Sequence, residues 1–439
     1  MKRITTTLLF LILVSAVFAQ STDYKLDPQE QKRTIDSISS NLIANYIFPD
    51  VAEKMSKLIA DNFKKNQYKK ITDPNQFAER LTEDLRSISK DLHLRVSYAP
   101  EQIAEQNNAI SDEEKEALQN QWIEQMKRNN FGFKEVKILD GNIGYLDLRG
   151  FNPAEHGGET AVAAMNFLSN TDALIIDLQQ NGGGSPDMIQ LISSYLFDPE
   201  PVHLNNFYWR PKDENTQTWT LPHVPGKRMP NTPVYVLTNR QTFSAAEEFS
   251  YNLKNLERAT LIGETTGGGA HPGGPVNVTD KFMVWIPQGR AINPITNTNW
   301  EGAGVEPHIK VSAKDALLTA QLEAFKNLIK TTEDNDLKNY YSWHFEGIKT
   351  RINPVDSEEL NLDQYVGTYG PRTMMLENGE LIYKREGRNK ITLIPMGNHW
   401  FMLDGLDYFR IEFEIKDEKT IAVIGHYDNG RTDKSLKTQ

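Results

Sequence analysis

The sequence predicts an α/β core with a helical N-terminal domain and a small antiparallel β module at the C-terminal end. Three observations support this architecture. Charged segments with helical periodicity come before residue 130, strand-like apolar runs alternate with helices from 131 to 350, and short alternating runs follow from 355. Alternation of strands and helices is typical of an α/β core. The 439 residues suffice for two or three domains.

The first 19 residues have the features of a signal peptide. Met1-Lys2-Arg3 is basic, and the apolar run from Leu8 to Ala19 is short for a membrane span. Val17-Phe18-Ala19 offers small residues where a signal peptidase cleaves, so we expect cleavage before Gln20, with a buried N-terminal helix as the alternative. No cysteine follows that could carry a lipid. These features predict an exported bacterial protein, periplasmic or secreted, with no membrane anchor after cleavage.

The helical N-terminal domain is predicted over residues 20–130. In "DPNQFAERLTEDLRSISKDL", Phe77, Leu81 and Leu85 recur at i, i+4 and i+8, as expected for one face of a helix. The segments "VAEKMSKLIADNFKK" and "SDEEKEALQNQWIEQMKRNN" are charged and also predict helices.

The core is predicted over residues 131–350, where strands and helices follow one another. The predicted strands are "GNIGYLDLRGF", "DALIIDL", "PVYVLT", "ATLIGE" and "FMVWIP". The predicted helices are "PDMIQLISSYLF", the segment after Ser244, and "KDALLTAQLEAFKNLIK".

The last 85 residues, 355–439, predict a small antiparallel β-rich module, either an open sheet or a barrel. Its short alternating runs include "GELIYKR", "YFRIEFEI" and "TIAVIGHY", separated by Gly, Asn and Asp. The module is weakly similar to the lipocalin-like modules of secreted bacterial hydrolases.

Composition excludes several classes of function. The net charge of −11 disfavours a nucleic-acid partner. The absence of cysteine excludes disulfides, thiolate catalysis and cysteine zinc sites. No Gly-Lys-Ser/Thr follows either glycine-rich loop, which disfavours a phosphate loop.

Ser244 lies where a predicted strand changes to a predicted helix, in "QTFSAAEEFS". One interpretation is a capping box, in which Ser244 caps the helix and Glu247 reaches back to its amide. The other is a nucleophile on a strand-to-helix turn, backed by helix N-terminal amides. The two interpretations are compatible.

Three other stretches bear on this serine. "DLQQNGGGSPD" is either a glycine loop that exposes amides or an ordinary turn capped by Ser185. His93, in "KDLHLRVSYAP", is either structural or a base, and Glu301, in "NTNWEGAGVEPHI", is either a solvated carboxylate or a partner for a histidine.

Together, "TFSAAEE", "DLQQNGGG", "IGETTGGGA" and "GAGVEPHI" resemble, in order and spacing, motifs of the S41 serine peptidases. This family includes the C-terminal processing proteases, the tricorn core protease and the repeats of the interphotoreceptor retinoid-binding protein. The resemblance covers residues 30 to 330 and implies a crotonase-like core of ββα units.

The sequence departs from the Ser–Lys branch of this family. That branch carries a lysine where this chain has Gly269, and the next lysine, Lys281, lies beyond the loop. The chain is therefore more similar to the tricorn and retinoid-binding-protein branch, in which a histidine is the base. Asp91-Leu92-His93-Leu94 and Trp300-Glu301-Gly302 match the segments that supply the histidine and its carboxylate in that branch.

The resemblance implies a triad of Ser244, His93 and Glu301, and an oxyanion hole formed by the amides of Ala245 and of Gly183 or Gly184. Glu264 is the alternative carboxylate. The resemblance implies no cofactor and no metal.

We therefore expect a serine peptidase that acts on peptides or polypeptides through an acyl-enzyme. The competing hypotheses are a catalytically weak or inactive protein of this fold that binds a lipophilic or peptide ligand, and an esterase that uses the same triad.

Overall fold

The computed structural model describes residues 24–107, 111–355 and 360–438. The predicted signal peptide lies outside these ranges. Within them, no helix combines the length and apolar character needed to cross a membrane.

Ten α-helices are assigned within the described ranges. They are α1 Pro28–Asn45, α2 Pro49–Lys64, α3 Pro74–Ser89, α4 Pro100–Asn107, α5 Asp112–Arg128, α6 Ala154–Leu168, α7 Pro186–Ser194, α8 Ala245–Asn255, α9 Ala316–Thr331 and α10 Asn335–Ile352.

The strands fall into two groups, those before α10 and those after it. The first group is β1 Arg95–Tyr98, β2 Phe133–Leu139, β3 Ile143–Leu148, β4 Ala173–Asp177, β5 His203–Trp209, β6 Glu214–Trp219, β7 Val234–Thr238, β8 Ala259–Gly263, β9 Gly273–Asn277, β10 Phe282–Pro287, β11 Gly289–Ile292 and β12 Ile309–Lys310. The second is β13 Gly367–Tyr369, β14 Arg372–Glu377, β15 Glu380–Arg385, β16 Lys390–Gly397, β17 Trp400–Leu403, β18 Leu406–Lys416, β19 Lys419–Tyr427 and β20 Thr432–Leu436.

The N-terminal region consists of helices that pack on a short antiparallel sheet. Phe77, Leu81 and Leu85 on α3 are fully buried, as the i, i+4, i+8 spacing predicts. They belong to a cluster that also contains Val284 of β10. The sheet has the order β1-β10-β9, so β1 of the N-terminal region is hydrogen-bonded to a strand that lies almost 190 residues later in the chain.

A six-stranded sheet of order β12-β8-β7-β4-β3-β2 forms the centre of the core. Adjacent strands of this sheet are parallel, except for β2 and β3, which are antiparallel. Apolar side chains of α6, α7 and α8 pack on one face, and those of α9 and α10 pack on the other. Strands covered on both faces must be apolar throughout, which explains the continuous apolar runs in β4 and β7.

A third sheet, of order β11-β5-β6, is antiparallel and stands beside the core. Its strands were not predicted from the sequence. The strand β5 has the sequence "HLNNFYW", in which paired asparagines interrupt the alternation expected of a strand.

The C-terminal module is an eight-stranded antiparallel meander from β13 to β20. An isolated bridge between Tyr369 and Lys437 joins its first strand to the end of the chain, so the sheet closes on itself as a barrel. Tyr365, Phe401 and Phe413 are buried in its interior. The predicted α/β class, with a helical N-terminal region and a C-terminal antiparallel β module, is confirmed, and the exact domain boundaries stay a prediction.

Candidate active site

Ser244 occupies a strained turn between β7 and α8. Its backbone has φ 56° and ψ −121°, a conformation that a residue with a Cβ adopts only under constraint. Strand-to-helix turns of this kind hold nucleophilic serines at the carboxyl edge of a parallel sheet. In this structure Ser244 lines the cavity described below.

Glu247 holds this turn against the glycine loop. Its Oε2 accepts hydrogen bonds from the amides of Ser244, at 2.9 Å, and of Gly269, at 2.8 Å. Its Oε1 accepts from the Thr266 hydroxyl at 2.5 Å and from the Gly268 amide at 2.6 Å. Burial raises the pKa of Glu247, and these hydrogen bonds oppose the shift. The expected hydrogen bond between the Ser244 amide and Glu247 is present. The carboxylate also holds the glycine loop at Gly268 and Gly269, a contact that was not predicted from the sequence.

His93 enters the same cavity from the segment between α3 and β1. Its ring lies 4.6 Å from that of Phe243, measured between centroids, and Nδ1 is 3.8 Å from Asp91 Oδ1. Neither ring nitrogen has a hydrogen-bond partner in the part of the chain that the structure describes. Burial lowers the pKa of His93 below its ordinary value, against the opposing effect of the Asp91 charge. The ring is therefore held as the neutral form, which can accept a proton.

The glycine at position 269 makes room for this ring. A Cβ at Gly269 would lie 2.3 Å from Phe243 Cζ and 2.7 Å from His93 Cε1. A side chain there would displace the histidine, so a lysine in this loop and a histidine at position 93 compete for the same space.

Glu301 lies close to His93 without bonding to it. The nearest ligand atoms of Asp91, His93 and Glu301 fall within 4.8 Å of one another, a grouping that could also hold a metal ion. Glu301 Oε2 accepts from the Ala270 amide at 2.6 Å, and Oε1 is buried without a partner among the described residues. The expected hydrogen bond between Glu301 and His93 is therefore not formed, because the Ala270 amide holds the carboxylate a short distance away.

His271 is a member of the site that sequence reasoning missed. Its Nδ1 is 2.8 Å from Asp91 Oδ2 and 3.4 Å from Glu301 Oε2, so the ring lies between two carboxylates. Burial, and then the Asp91 charge, raise the pKa of Glu301 to about 7. The signal available in the sequence was the histidine directly after "GETTGGGA".

The other candidates are held elsewhere. Glu264 is exposed, and its Oε1 accepts from the Ala313 amide at 3.0 Å, so it is tied to the segment before α9. Lys281 Nζ lies 2.6 Å from the Tyr24 hydroxyl and 3.0 Å from Glu30 Oε1. Both residues have structural partners away from His93.

Among the predicted oxyanion donors, the two glycines differ. The Gly183 amide donates to Asn181 Oδ1 at 2.9 Å and is already occupied. The amides of Gly184 and Ala245 make no hydrogen bond within the described ranges, and both residues line the cavity. A Cβ at Gly183 would lie 2.8 Å from Ser244 Cβ, so a glycine is required for the loop to approach the serine.

The cavity measures about 420 Å³, and both Ser244 and His93 line it. Its lining includes four large aromatic side chains, Phe207, Trp209, Trp285 and Trp300, and one carboxylate, Glu248. A serine, a neutral imidazole and two free amides around one cavity can carry out acyl transfer.

Two family descriptions match the chain. "Peptidase family S41" matches residues 142–311, which contain Ser244 and Glu301. The "N-terminal domain of Peptidase S41 in eukaryotic IRBP" matches residues 28–131, which contain His93.

Sequence relatives are distant. The carboxy-terminal processing protease CtpB of Bacillus subtilis is 24% identical over 208 residues, covering 47% of this chain and 41% of that protein. The "Probable CtpA-like serine protease" of Staphylococcus epidermidis is 22% identical over 290 residues, covering 62% of this chain and 55% of that protein. The chain thus spans about half the length of the curated relatives that it matches.

Among solved structures, the photosystem II D1 C-terminal processing protease is similar with a TM-score of 0.42 and 14% identity, over 65% of this chain and 93% of that one. The two matched segments together take in the N-terminal helices and most of the central sheet. The chain belongs to peptidase family S41.

Proposed function

We propose that this chain is a serine-type peptidase that hydrolyses peptide bonds through Ser244, His93 and Glu301. The observation that carries the proposal is Ser244 on a strained turn, lining a cavity that His93 also lines. His93, held neutral by burial, takes the hydroxyl proton as Ser244 attacks the substrate carbonyl. The acyl-enzyme is then hydrolysed by water that the same imidazole activates.

The amides of Ala245 and Gly184 form the proposed oxyanion hole. Both line the cavity and are free to donate, whereas the Gly183 amide is bonded to Asn181. The amide after the nucleophile and an amide from a neighbouring loop are the usual pair of donors in such sites. Loss of one donor typically costs about 10²–10³ in kcat.

Two carboxylates support the imidazolium that forms during the reaction. Asp91 Oδ1 is 3.8 Å from His93 Nδ1, and Glu301 lies within the same 4.8 Å group. A negative charge at this distance stabilises the protonated ring in a site with little water. We assign the larger effect to Glu301, which matches the family segment.

A fluorophosphonate probe, which reacts with activated serines, tests the proposal directly. We expect it to label the mature chain at Ser244, as found by peptide mass analysis, and to leave Ser244→Ala unlabelled. Absence of labelling in a folded protein would favour a binding protein of the same fold.

The basic and apolar segment at residues 1–19 supports export to the periplasm or the medium.

The two candidate carboxylates should differ in their effect on the rate. Glu301→Gln removes a charge beside His93, and we expect kcat to fall by about 10⁴, the loss seen when a triad carboxylate becomes an amide. Glu264→Gln serves as the matched control, because its carboxylate bonds to the Ala313 amide, and it should retain activity within a few-fold. Steady-state hydrolysis of one peptide by both variants measures the difference. A larger loss in Glu264→Gln would reverse the assignment.

The pH dependence should reflect the raised pKa of Glu301. Both His93 and Glu301 must be deprotonated in the free enzyme, and the higher pKa sets the acidic limb. Since burial and Asp91 raise the pKa of Glu301 to about 7, kcat/KM should increase with pH through about 7 and be lost below it.

Asp91→Asn provides the control for this profile. The Asp91 charge raises the pKa of both Glu301 and His93, so its removal should shift the limb to lower pH. A limb that stays in place or moves to higher pH would contradict the assignment of these groups.

A further inference from the structure

One buried carboxyl group in the cavity has no role in the mechanism above. Glu248 lies on α8 four residues after Ser244 and lines the same cavity. Four residues of helix advance about 6 Å, one turn, so Ser244 and Glu248 lie about one turn apart on the same side of the helix. A substrate side chain next to the attacked carbonyl could therefore reach it.

Glu248 is buried and incompletely bonded. The residue is 4% exposed, and its Oε1 has no hydrogen-bond partner within the described ranges. Burial raises its pKa to about 7, and the side-chain amides of Asn205 and Asn252, which approach the carboxyl group as hydrogen-bond donors, oppose the shift. A desolvated carboxyl group with a free oxygen is costly unless a ligand supplies a donor.

Aromatic side chains line the same cavity as Glu248. They include Phe207, Trp209 and Trp300. Aromatic faces stabilise a cation that lies over them, and a buried carboxylate pairs with the same cation. An acidic side chain would be repelled by Glu248, and an aliphatic one would bury the carboxyl group without a partner.

We propose that Glu248 selects substrates that carry a lysine or arginine side chain on the residue whose carbonyl Ser244 attacks. The aliphatic stem of that side chain packs along the aromatic walls, and its charged end pairs with the Glu248 carboxylate. This inference rests on the proposed peptidase function, because it places the attacked carbonyl at Ser244.

Peptide binding tests the inference without requiring hydrolysis. Three peptides that differ at one position, carrying lysine, norleucine or glutamate, are titrated by calorimetry at pH 8 into the full-length Ser244→Ala protein. We expect the lysine peptide to bind 10- to 100-fold more tightly than the norleucine peptide, the contribution of one charge-assisted hydrogen bond, and the glutamate peptide to bind most weakly. Equal affinities, a preference for norleucine, or no binding by any peptide would overturn the proposal.

Substitution of the Glu248 carboxyl group tests whether this group causes the preference for lysine. In Ser244→Ala with Glu248→Gln, the preference for lysine over norleucine should fall below about twofold, since the amide keeps the size of the side chain and removes its charge. Glu159→Gln on α6, exposed and outside the cavity, is the matched control and should keep the full preference. A lysine preference that survives Glu248→Gln would assign it to another group.

The outcomes separate this inference from the proposed function. Lysine-selective binding that Glu248→Gln abolishes, together with no hydrolysis by the unsubstituted protein, would uphold the specificity site and reject the peptidase. Hydrolysis without lysine selectivity would do the reverse.

Discussion

Replacing Ser244 with alanine should lower kcat by about 10⁶ and leave the fold intact. Removing the nucleophile of a serine protease costs this much because the imidazole then has no hydroxyl to activate, and only the oxyanion donors and substrate binding still contribute. The free energy of unfolding should change by about 1 kcal/mol at most, the value of one helix cap, and the melting temperature by a few degrees. Alanine keeps the Cβ and therefore the strain of the positive φ. Peptide hydrolysis and thermal unfolding of the same preparation measure both effects.

Ser244→Gly separates the chemistry from the backbone. Glycine adopts a positive φ freely, so this variant should be as inactive as the alanine variant and more stable than it by about 1 kcal/mol. Undiminished turnover in either variant would reject Ser244 as the nucleophile and leave it as a structural cap.

Replacing His93 with glutamine should have the second largest effect, a loss approaching that of the serine variant. Glutamine is a polar side chain of similar length, but it cannot take a proton near neutral pH, so Ser244 would lose its base. In a triad, removal of the base alone costs about as much as removal of every member. Single-turnover hydrolysis at pH 8, above the acidic limb, measures the chemical step.

Lys281→Ala is the control for a lysine base. Lys281 is paired with Glu30 and Tyr24 in the N-terminal region, so kcat/KM should stay within about twofold. An active His93→Gln together with an inactive Lys281→Ala would reject the histidine assignment.

Local periodicity predicted most helices and strands because their burial depends on nearby spacing. The helix α3 and the strands β4 and β7 lie where their apolar patterns place them. The strand β5 was missed because asparagines interrupt its pattern, and its pairing with β11 is a long-range contact that no local signal carries. The fold class followed from the order of elements, which local patterns do record.

The sequence predicted which residues belong to the candidate site better than it predicted the contacts between them. Motif order brought Ser244, His93 and Glu301 into one hypothesis, and all three lie in one region of the fold. His271 was missed because its neighbours, Asp91 and Glu301, are far away in sequence. The difference between Gly183 and Gly184 depends on where one side-chain oxygen points, which only coordinates reveal.

The pairing of β1 with β10 has a consequence for the order in which the site is assembled. His93 lies two residues before β1, whereas Ser244 follows a strand of the central sheet, and β10 comes later than both in the chain. During translation, His93 is synthesised well before Ser244. The strand β10, which pairs with the strand next to His93, is synthesised after both residues. Incomplete chains that end before β10 therefore carry His93 and Ser244 without the strand that pairs with β1, and the proposed site cannot assemble until that strand has been synthesised.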